Sequence, residues 1–438
     1  MLVKRNFISF SVQDNALFQN KLLFWAEKNF PVHCLLDSNE IEAGQYSDFP
    51  AIFAAGDFNS VVIDSNKKNA FKKLKIFSDA INDWIFGFFS YDLKNQTENL
   101  SSNNSDGINM PLMYFFQPIV LVIFEKHSFK IGILENQNYT AENIFNEINN
   151  QILPEKLSYN KPQINSRVSK KEYVDNIKKI KNHIQKGDIY EMNYCFEFFS
   201  DNAIIDPVSS YNKLKKISPA PFAAFLKYNN KYLLCSSPER FLKKKQEKLI
   251  SQPIKGTIKR GETDKEDALL SSQLFNDPKE RSENVMIVDL VRNDLSKSAI
   301  KNSVQVEELC GIYKFAKVQQ MISTVTAVMD QKMHYTDAIK YAFPMGSMTG
   351  APKVKAMELA EKYETTKRGL YSGAIGYIDP EKNFDFNVII RSILFCQKNN
   401  YLSFMVGSAI TIGSDPDKEY SECLLKAKSM AEVFDMFF

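Results

Sequence analysis

Three β-rich runs crowd the span between Tyr371 and Val406, and no feature of the sequence restricts the fold more. Residues 371–378, 384–395 and 401–406 are separated only by polar turns, at Asp379-Pro380 and Asn399-Asn400. Asp, Asn and Pro favour turns through local hydrogen bonds and a fixed φ. Strands joined this tightly return antiparallel, because a parallel neighbour needs a long crossover. Residues 232–236, 249–254 and 315–329 read as further strands. Residues 119–124 and 130–134 read as a hairpin around 125–128. The whole apolar stretch 112–124, with Gln117 and Pro118 inside it, reads as a buried strand region.

Helical periodicity alternates with these runs. Tyr173, Ile177, Ile180 and Ile184 share one face, and Gly187 can stop that helix. Helical stretches follow Asp264 and Asp277, and a terminal helix follows Pro416. Gly350-Ala351-Pro352-Lys353 opens another, running to about Glu364 with Pro352 in its first turn. Helices interleaved with antiparallel strands imply an α+β fold in which helices cover one face of a sheet. Residues 95–109, rich in Asn, Ser and Asp, are expected to form a mobile surface loop. The polar stretch 154–167 is the candidate boundary, dividing the chain into 1–165 and 166–438.

The chain is long enough, at 438 residues, to bury a large core without covalent staples. Its net charge of +3 gives no reason to expect nucleic acid or an anionic membrane as a partner. No stretch approaches the ~20 apolar residues of a membrane helix. Gln13 and Asp14 interrupt the N-terminal segment too early for a signal peptide. The six cysteines form no C-x-x-C pair, which argues against zinc and disulfides and for a cytoplasmic location.

Several polar groups sit where chemistry could be done. Glu239, in Ser237-Pro238-Glu239-Arg240-Phe241, follows an apolar strand. It is either half of a surface ion pair with Arg240 or a pocket carboxylate able to shuttle protons. Lys255, in Pro253-Ile254-Lys255-Gly256-Thr257, either snorkels to water or lies in a cleft, where Gly256 lets the backbone approach a ligand. A lysine is nucleophilic only when neutral, and moving its pKa from ~10.4 to near 7 takes roughly 4–5 kcal/mol of environment. Burial and nearby cations can supply that. Glu419, Glu422 and Lys426 share a face of the terminal helix. With Glu283 they form either solvated helix faces, including a Glu422–Lys426 pair, or a hard-cation site of carboxylates. The helix start at 350–353 is either well capped or an anion site; it lacks the Gly-Lys-Ser/Thr of a P-loop. Tyr371 and Arg391, on neighbouring expected strands, could hold a carboxylate or serve packing alone.

Taken in order, these strings resemble the chorismate-utilising enzyme family. The match is carried by SPERF at 237–241, PIKGT at 253–257, ENVMIVDLVRNDL at 283–295, GAPKVKAMEL at 350–359, YSGAIGYID at 371–379 and EYSEC at 419–423. LLDS at 35–38 and FGFFSYD ending at Asp92 look like the family's N-terminal half. The resemblance implies two facing antiparallel β-sheets with helices on the outside. It implies magnesium held through Glu283 and Glu422 with Glu419 nearby, gripping the ring carboxylate of chorismate. Tyr371, Arg391 and the backbone around Gly407 would hold the enolpyruvyl carboxylate. Gly256 and Thr257 would approach the ring.

Lys255 narrows the branch. Anthranilate-forming members typically carry Ala there, whereas Lys marks the members that aminate chorismate at C4. In that branch the lysine attacks C2 as the C4 hydroxyl leaves, ammonia enters at C4, and the lysine departs. Glu239 would protonate the hydroxyl and later accept a proton from ammonia. Such a detour splits one hard displacement into two easier steps. Two departures stand out. Gln320 occupies a strand position where family members often carry His, and the turn near Gly407 reads Gly407-Ser408-Ala409-Ile410 rather than nearly all Gly. The first favours release of the aminated product without aromatisation. Ser218-Pro219-Ala220-Pro221-Phe222 differs from the tryptophan-sensing pattern, so tryptophan feedback is not expected. No nucleophile-elbow Cys is present, so the ammonia is expected from a separate glutamine amidotransferase. Anthranilate formation, and a non-catalytic subunit of the same fold, remain the competing readings.

Overall fold

The computed structural model describes residues 4–41, 46, 48–64, 69–135, 137–154 and 160–436. Its organising element is a long two-stranded ribbon. Ala51–Ile63 pairs with Met113–Phe124 along its whole length, with a register shift between Asp57 and Asn59 opposite Pro118. A proline has no N–H for the ladder, so it falls where the pairing breaks. On either side of this break the ribbon joins a different sheet. The half nearer Phe124 continues through Val32–Asp37, Phe222–Tyr228, Lys231–Ser237, Ser392–Cys396, Tyr401–Ile410 and Glu191–Ser200. The half nearer Met113 continues through Ile85–Phe89, Ala374–Ile378, Phe384–Val388, Arg240–Lys245, Lys248–Gln252 and Val318–Val328. Val318–Val328 then carries Ile254–Lys259 on one edge and Gln305–Lys314 on the other. Each of these pairings is antiparallel.

The side-chain period of two sorts residues between cores. Leu233 and Cys235 of the first sheet face Phe86, Phe88, Tyr114, Ile375 and Tyr377 of the second across a shared interior. Tyr232 and Leu234 point the other way, under helices Asn15–Asn29, Lys170–Gln185, Pro207–Ile217 and Pro416–Glu432. Ala374 and Ile378 point outward in the second sheet, under Ala70–Ala80, Pro278–Ser296 and Tyr335–Ala342. Each buried Phe or Leu contributes roughly 1.5–3 kcal/mol. The layers therefore run helix, sheet, sheet, helix, as the family resemblance implies. Strands from both sides of residue 165 pair, Val32–Asp37 with Phe222–Tyr228 and Ile85–Phe89 with Ala374–Ile378. Part of the 154–167 stretch, residues 155–159, lies outside the described residues. Among the described residues no helix is long and apolar enough to cross a membrane.

Local signals place the helices well. Ser169 and Glu172 form a capping box on Lys170–Gln185, and Gly187 adopts φ 81 just beyond it. Asp277 and Asp415 cap helices that open on Pro278 and Pro416. Four expectations are corrected. Residues 384–395 are two strands, Phe384–Val388 and Ser392–Cys396, because Arg391 turns the chain at φ 52. The strand expected from Tyr371 begins only at Ala374. Pro352 stands at the cap position, one residue before the helix Lys353–Tyr363. Residues 95–109 are not a free loop. Asn95 and Gln96 are buried, Asn103 and Asn104 bond to the end of the Lys353–Tyr363 helix, and Ile108 enters the inter-sheet core.

Candidate active site

Lys255 is aimed by a β-bulge. Ile254 pairs with Ile322, yet Thr257 pairs with Gln320, so one extra residue stands on the Ile254–Lys259 strand. Gly256 absorbs the distortion at φ 89, and a Cβ there would lie 3.1 Å from a Glu280 oxygen and 3.2 Å from Leu274. The bulge turns the Lys255 side chain inward, where its Nζ donates to Glu191 Oε1 at 2.8 Å. The two side chains are only 10% and 2% exposed, which rules out a snorkelling lysine. Thr257 is exposed beside Gln320.

Glu239 lies at the junction of Lys231–Ser237 and Arg240–Lys245. Its carbonyl accepts from Val388 N and its N–H donates to Ser237 Oγ. Arg240 does not pair with it; that guanidinium forks onto Asp385 instead. The surface ion pair is thereby excluded. Burial pushes the Glu239 carboxyl up to about 7, while Ser347 and the Lys255 charge work against the rise. A carboxyl poised near neutrality suits proton transfer in both directions.

The charge of Lys255 corrects an expectation. Burial acts to lower its pKa, but Glu191, Glu283 and Glu239 outweigh burial and hold it above the ordinary lysine range. Its neighbours are carboxylates, not the cations that would neutralise it. In the resting chain the amine is an ammonium.

Glu283 and Glu419, from the helices Pro278–Ser296 and Pro416–Glu432, are buried rather than solvated. Lys279 Nζ lies between them, 3.8 Å from Glu283 Oε1 and 3.4 Å from Glu419 Oε1. Glu422 is exposed and forms the expected solvated pair with Lys426, at 2.6 Å. Burial, with Glu191 and Glu280 adding repulsion, lifts the Glu283 carboxyl to about 7 against the pull of Lys255 and Lys279. Burial also raises Glu280, with Glu422 and Asp277 adding to the rise. Among the described residues, no three His, Cys, Asp or Glu side chains converge as ready ion ligands, since Lys279 intervenes. The donors still fit a hard divalent ion. They are all oxygens, Glu283 Oε1 is buried without a hydrogen-bond partner, and a cation would relieve the repulsion.

The carboxylate-binding candidates adjoin this acidic wall. Arg391 enters no ion pair among the described residues; burial lowers its pKa, with Tyr371 and Glu422 as the charged groups opposing that fall. An unpaired guanidinium of this kind is suited to an incoming anion. Tyr371 is buried in the turn before Ala374–Ile378. Both therefore sit at strand ends rather than on strands. Gly407 lies opposite Cys195, where a Cβ would come within 2.6 Å of the cysteine sulfur, and its carbonyl accepts from Lys426. At the 350–353 helix start, the Lys353 ammonium is committed to Asp294 and the carbonyls of Ala342 and Pro344. Lys255 thus lies within range of the charges of Glu239 and Glu283, and Glu422 feels Lys255 and in turn acts on Arg391.

Sequence reasoning missed Glu191, Lys279 and Glu280. Glu191 had a signal: Met192, Tyr194, Phe196 and Phe198 alternate with polar or small residues, a strand pattern that puts Glu191 and Glu197 on one face.

A sequence-family profile for chorismate binding enzymes matches residues 36–432. A probable chloroplastic aminodeoxychorismate synthase of Oryza sativa subsp. japonica is 40% identical over 281 residues, which are 64% of this chain and 31% of that protein. The chain thus spans about a third of that relative. Aminodeoxychorismate synthase component 1 of Bacillus subtilis is 31% identical over 367 residues, 80% of this chain and 76% of its own length. Anthranilate synthase component 1 of Acetivibrio thermocellus is 31% identical over 379 residues, 81% of this chain and 75% of its own. Among solved structures, anthranilate synthase component I from Streptococcus pneumoniae superposes with a TM-score of 0.75 at 24% identity, covering 90% of this chain and 95% of that one. With its layered sheets, its cleft and a profile match over nearly its full length, the chain belongs to the chorismate-binding enzyme family.

Proposed function

We propose that the chain aminates chorismate at C4, yielding 4-amino-4-deoxychorismate, a precursor of p-aminobenzoate and folate. One observation carries this reading: a buried lysine amine, delivered by a bulge, lies within charge range of a carboxyl that burial pushes up to about 7. Arg391 and Tyr371, with the backbone around Gly407, bind the enolpyruvyl carboxylate. Gly256 and Thr257 border the ring. Glu283, Glu419 and Glu422 would hold Mg²⁺, which would offset the charge of the ring carboxylate. Lys255 Nζ, once deprotonated, bonds to C2 while Glu239 gives its proton to the departing C4 hydroxyl. Ammonia then bonds to C4, the C2–N bond breaks, and Glu239 recovers a proton. A glutamine amidotransferase supplies the ammonia, in the cytoplasm.

The test incubates the chain with chorismate, magnesium and an ammonium salt. p-Aminobenzoate should appear only after a lyase is added, whereas fluorescent anthranilate would refute the reaction. Lys255→Ala should slow amination at least ~100-fold, the usual scale for losing a reacting group. Chorismate consumed at full rate by that variant would overturn the covalent route.

A further inference from the structure

The amine that must act as nucleophile is charged in the resting chain, so something must take its proton. Glu191 is the group that lies in reach. Its Oε1 is the one acceptor hydrogen-bonded to Lys255 Nζ among the described residues, at 2.8 Å. Glu239 and Glu283 act on the ammonium only through their charge, and Glu280 and Glu422 feel it in turn. The other oxygen of Glu191, Oε2, is buried without a hydrogen-bond partner. That oxygen of Glu191 is therefore open to a proton. Its backbone is fixed on both edges. Glu191 stands opposite Ala351, its neighbour Met192 opposite Ile410, and Tyr190 N donates to Ala351 O.

We propose that Glu191 is the proton acceptor that frees the Lys255 amine for attack, a role that rests on the amination reading above. The proton passes from Nζ to the Glu191 carboxylate. The nitrogen lone pair forms the bond to C2, both ring double bonds shift by one position, and the C4–O bond breaks. The hydroxide leaves as water with the proton of Glu239. In the return half, ammonia forms the C4–N bond, both double bonds shift back, the C2–N bond electrons go to Lys255, and one ammonia proton restores Glu239. Glu191 then returns its proton to the amine. The sum is chorismate plus ammonia giving aminodeoxychorismate plus water, with no oxidant or reductant.

A mere counter-ion would behave in the opposite sense. Removing its charge would lower the lysine pKa, enlarge the neutral fraction near pH 7, and leave the rate unchanged or faster. The experiment measures kcat and KM for chorismate from pH 6.5 to 9.5, with ammonium chloride as nitrogen source and magnesium present. It compares the full chain with Glu191→Gln, Glu191→Asp, Lys255→Ala and the Lys255→Ala/Glu191→Gln double variant. Glu191→Gln, which still accepts the hydrogen bond but not the proton, should lose ~100-fold in kcat with KM little changed. Because Glu239 titrates alike in both, the log kcat of this variant should rise relative to that of the parent by about one per pH unit, as solvent takes over the proton. Glu191→Asp should recover part of the rate. In the Lys255→Ala background the Gln substitution should cost nothing further. A parental kcat and pH profile in Glu191→Gln, or an equal loss in the Lys255→Ala background, overturns the assignment. If Lys255→Ala alone runs at full rate, the covalent route falls and the role of Glu191 with it; if the product is anthranilate, the amination reading itself falls; if Lys255→Ala is inactive and Glu191→Gln is not, only the role of Glu191 falls.

Discussion

Glu239 carries two consequences of one environment. Its pKa of about 7, against the ordinary 4.5, means that folding favours the protonated form. That stabilisation is complete below pH 4.5 and is lost as pH rises through 7. Glu239→Gln keeps the shape without the charge. It should therefore melt like the parent at pH 5, but gain up to ~3 kcal/mol over it at pH 8.5 in urea titrations. Its kcat should fall by ~10²–10⁴, because the hydroxyl loses its proton donor. If the parent and variant stability curves stay parallel across that range, Glu239 is not protonated in the fold. At this scale the motifs singled out Glu239 and Lys255, since each ends or opens an apolar strand. The charge of Lys255 was not legible. It is set by Glu191, 64 residues away in sequence. Lys279, which stands between the two acidic helices, likewise has no signature beyond its place one turn before Glu283.

Among elements, the bulge before Gly256 matters most. Gly256→Ala places a side chain at φ 89 and within 3.1 Å of Glu280, so the strand should lose roughly 1–3 kcal/mol and re-aim Lys255. Thermal melting should show the first effect and a fall in kcat larger than the stability loss the second; an unshifted melting point would show that the backbone there is not strained. The strands legible from sequence were those bounded by turn residues, such as Lys231–Ser237 and Tyr401–Ile410. The break at Arg391 was not. A left-handed residue that is itself neither Gly nor Asn is imposed by tertiary packing and leaves no compositional mark.

For the whole molecule, short turns made the antiparallel character readable, and helical periodicity made the outer layers readable. Which sheet each strand joins was not, because the decisive pairings are long-range, as between Val32–Asp37 and Phe222–Tyr228. Local patterns define faces but not partners. The inter-sheet core gives a test at this scale. Phe88→Ala, at a fully buried position between the sheets, should cost ~3–5 kcal/mol. Circular dichroism and intrinsic fluorescence should show one shifted, coincident transition; separate transitions would mean that the sheets unfold independently.

Glu191 and Lys255 reach each other from opposite sheets, and the ribbon Ala51–Ile63 with Met113–Phe124 belongs to both. The ribbon thus serves as a caliper for the cleft. A shift of the ribbon at the Pro118 register break would carry through both sheets to the spacing of Glu191 and Lys255, so turnover would report the gap between the layers.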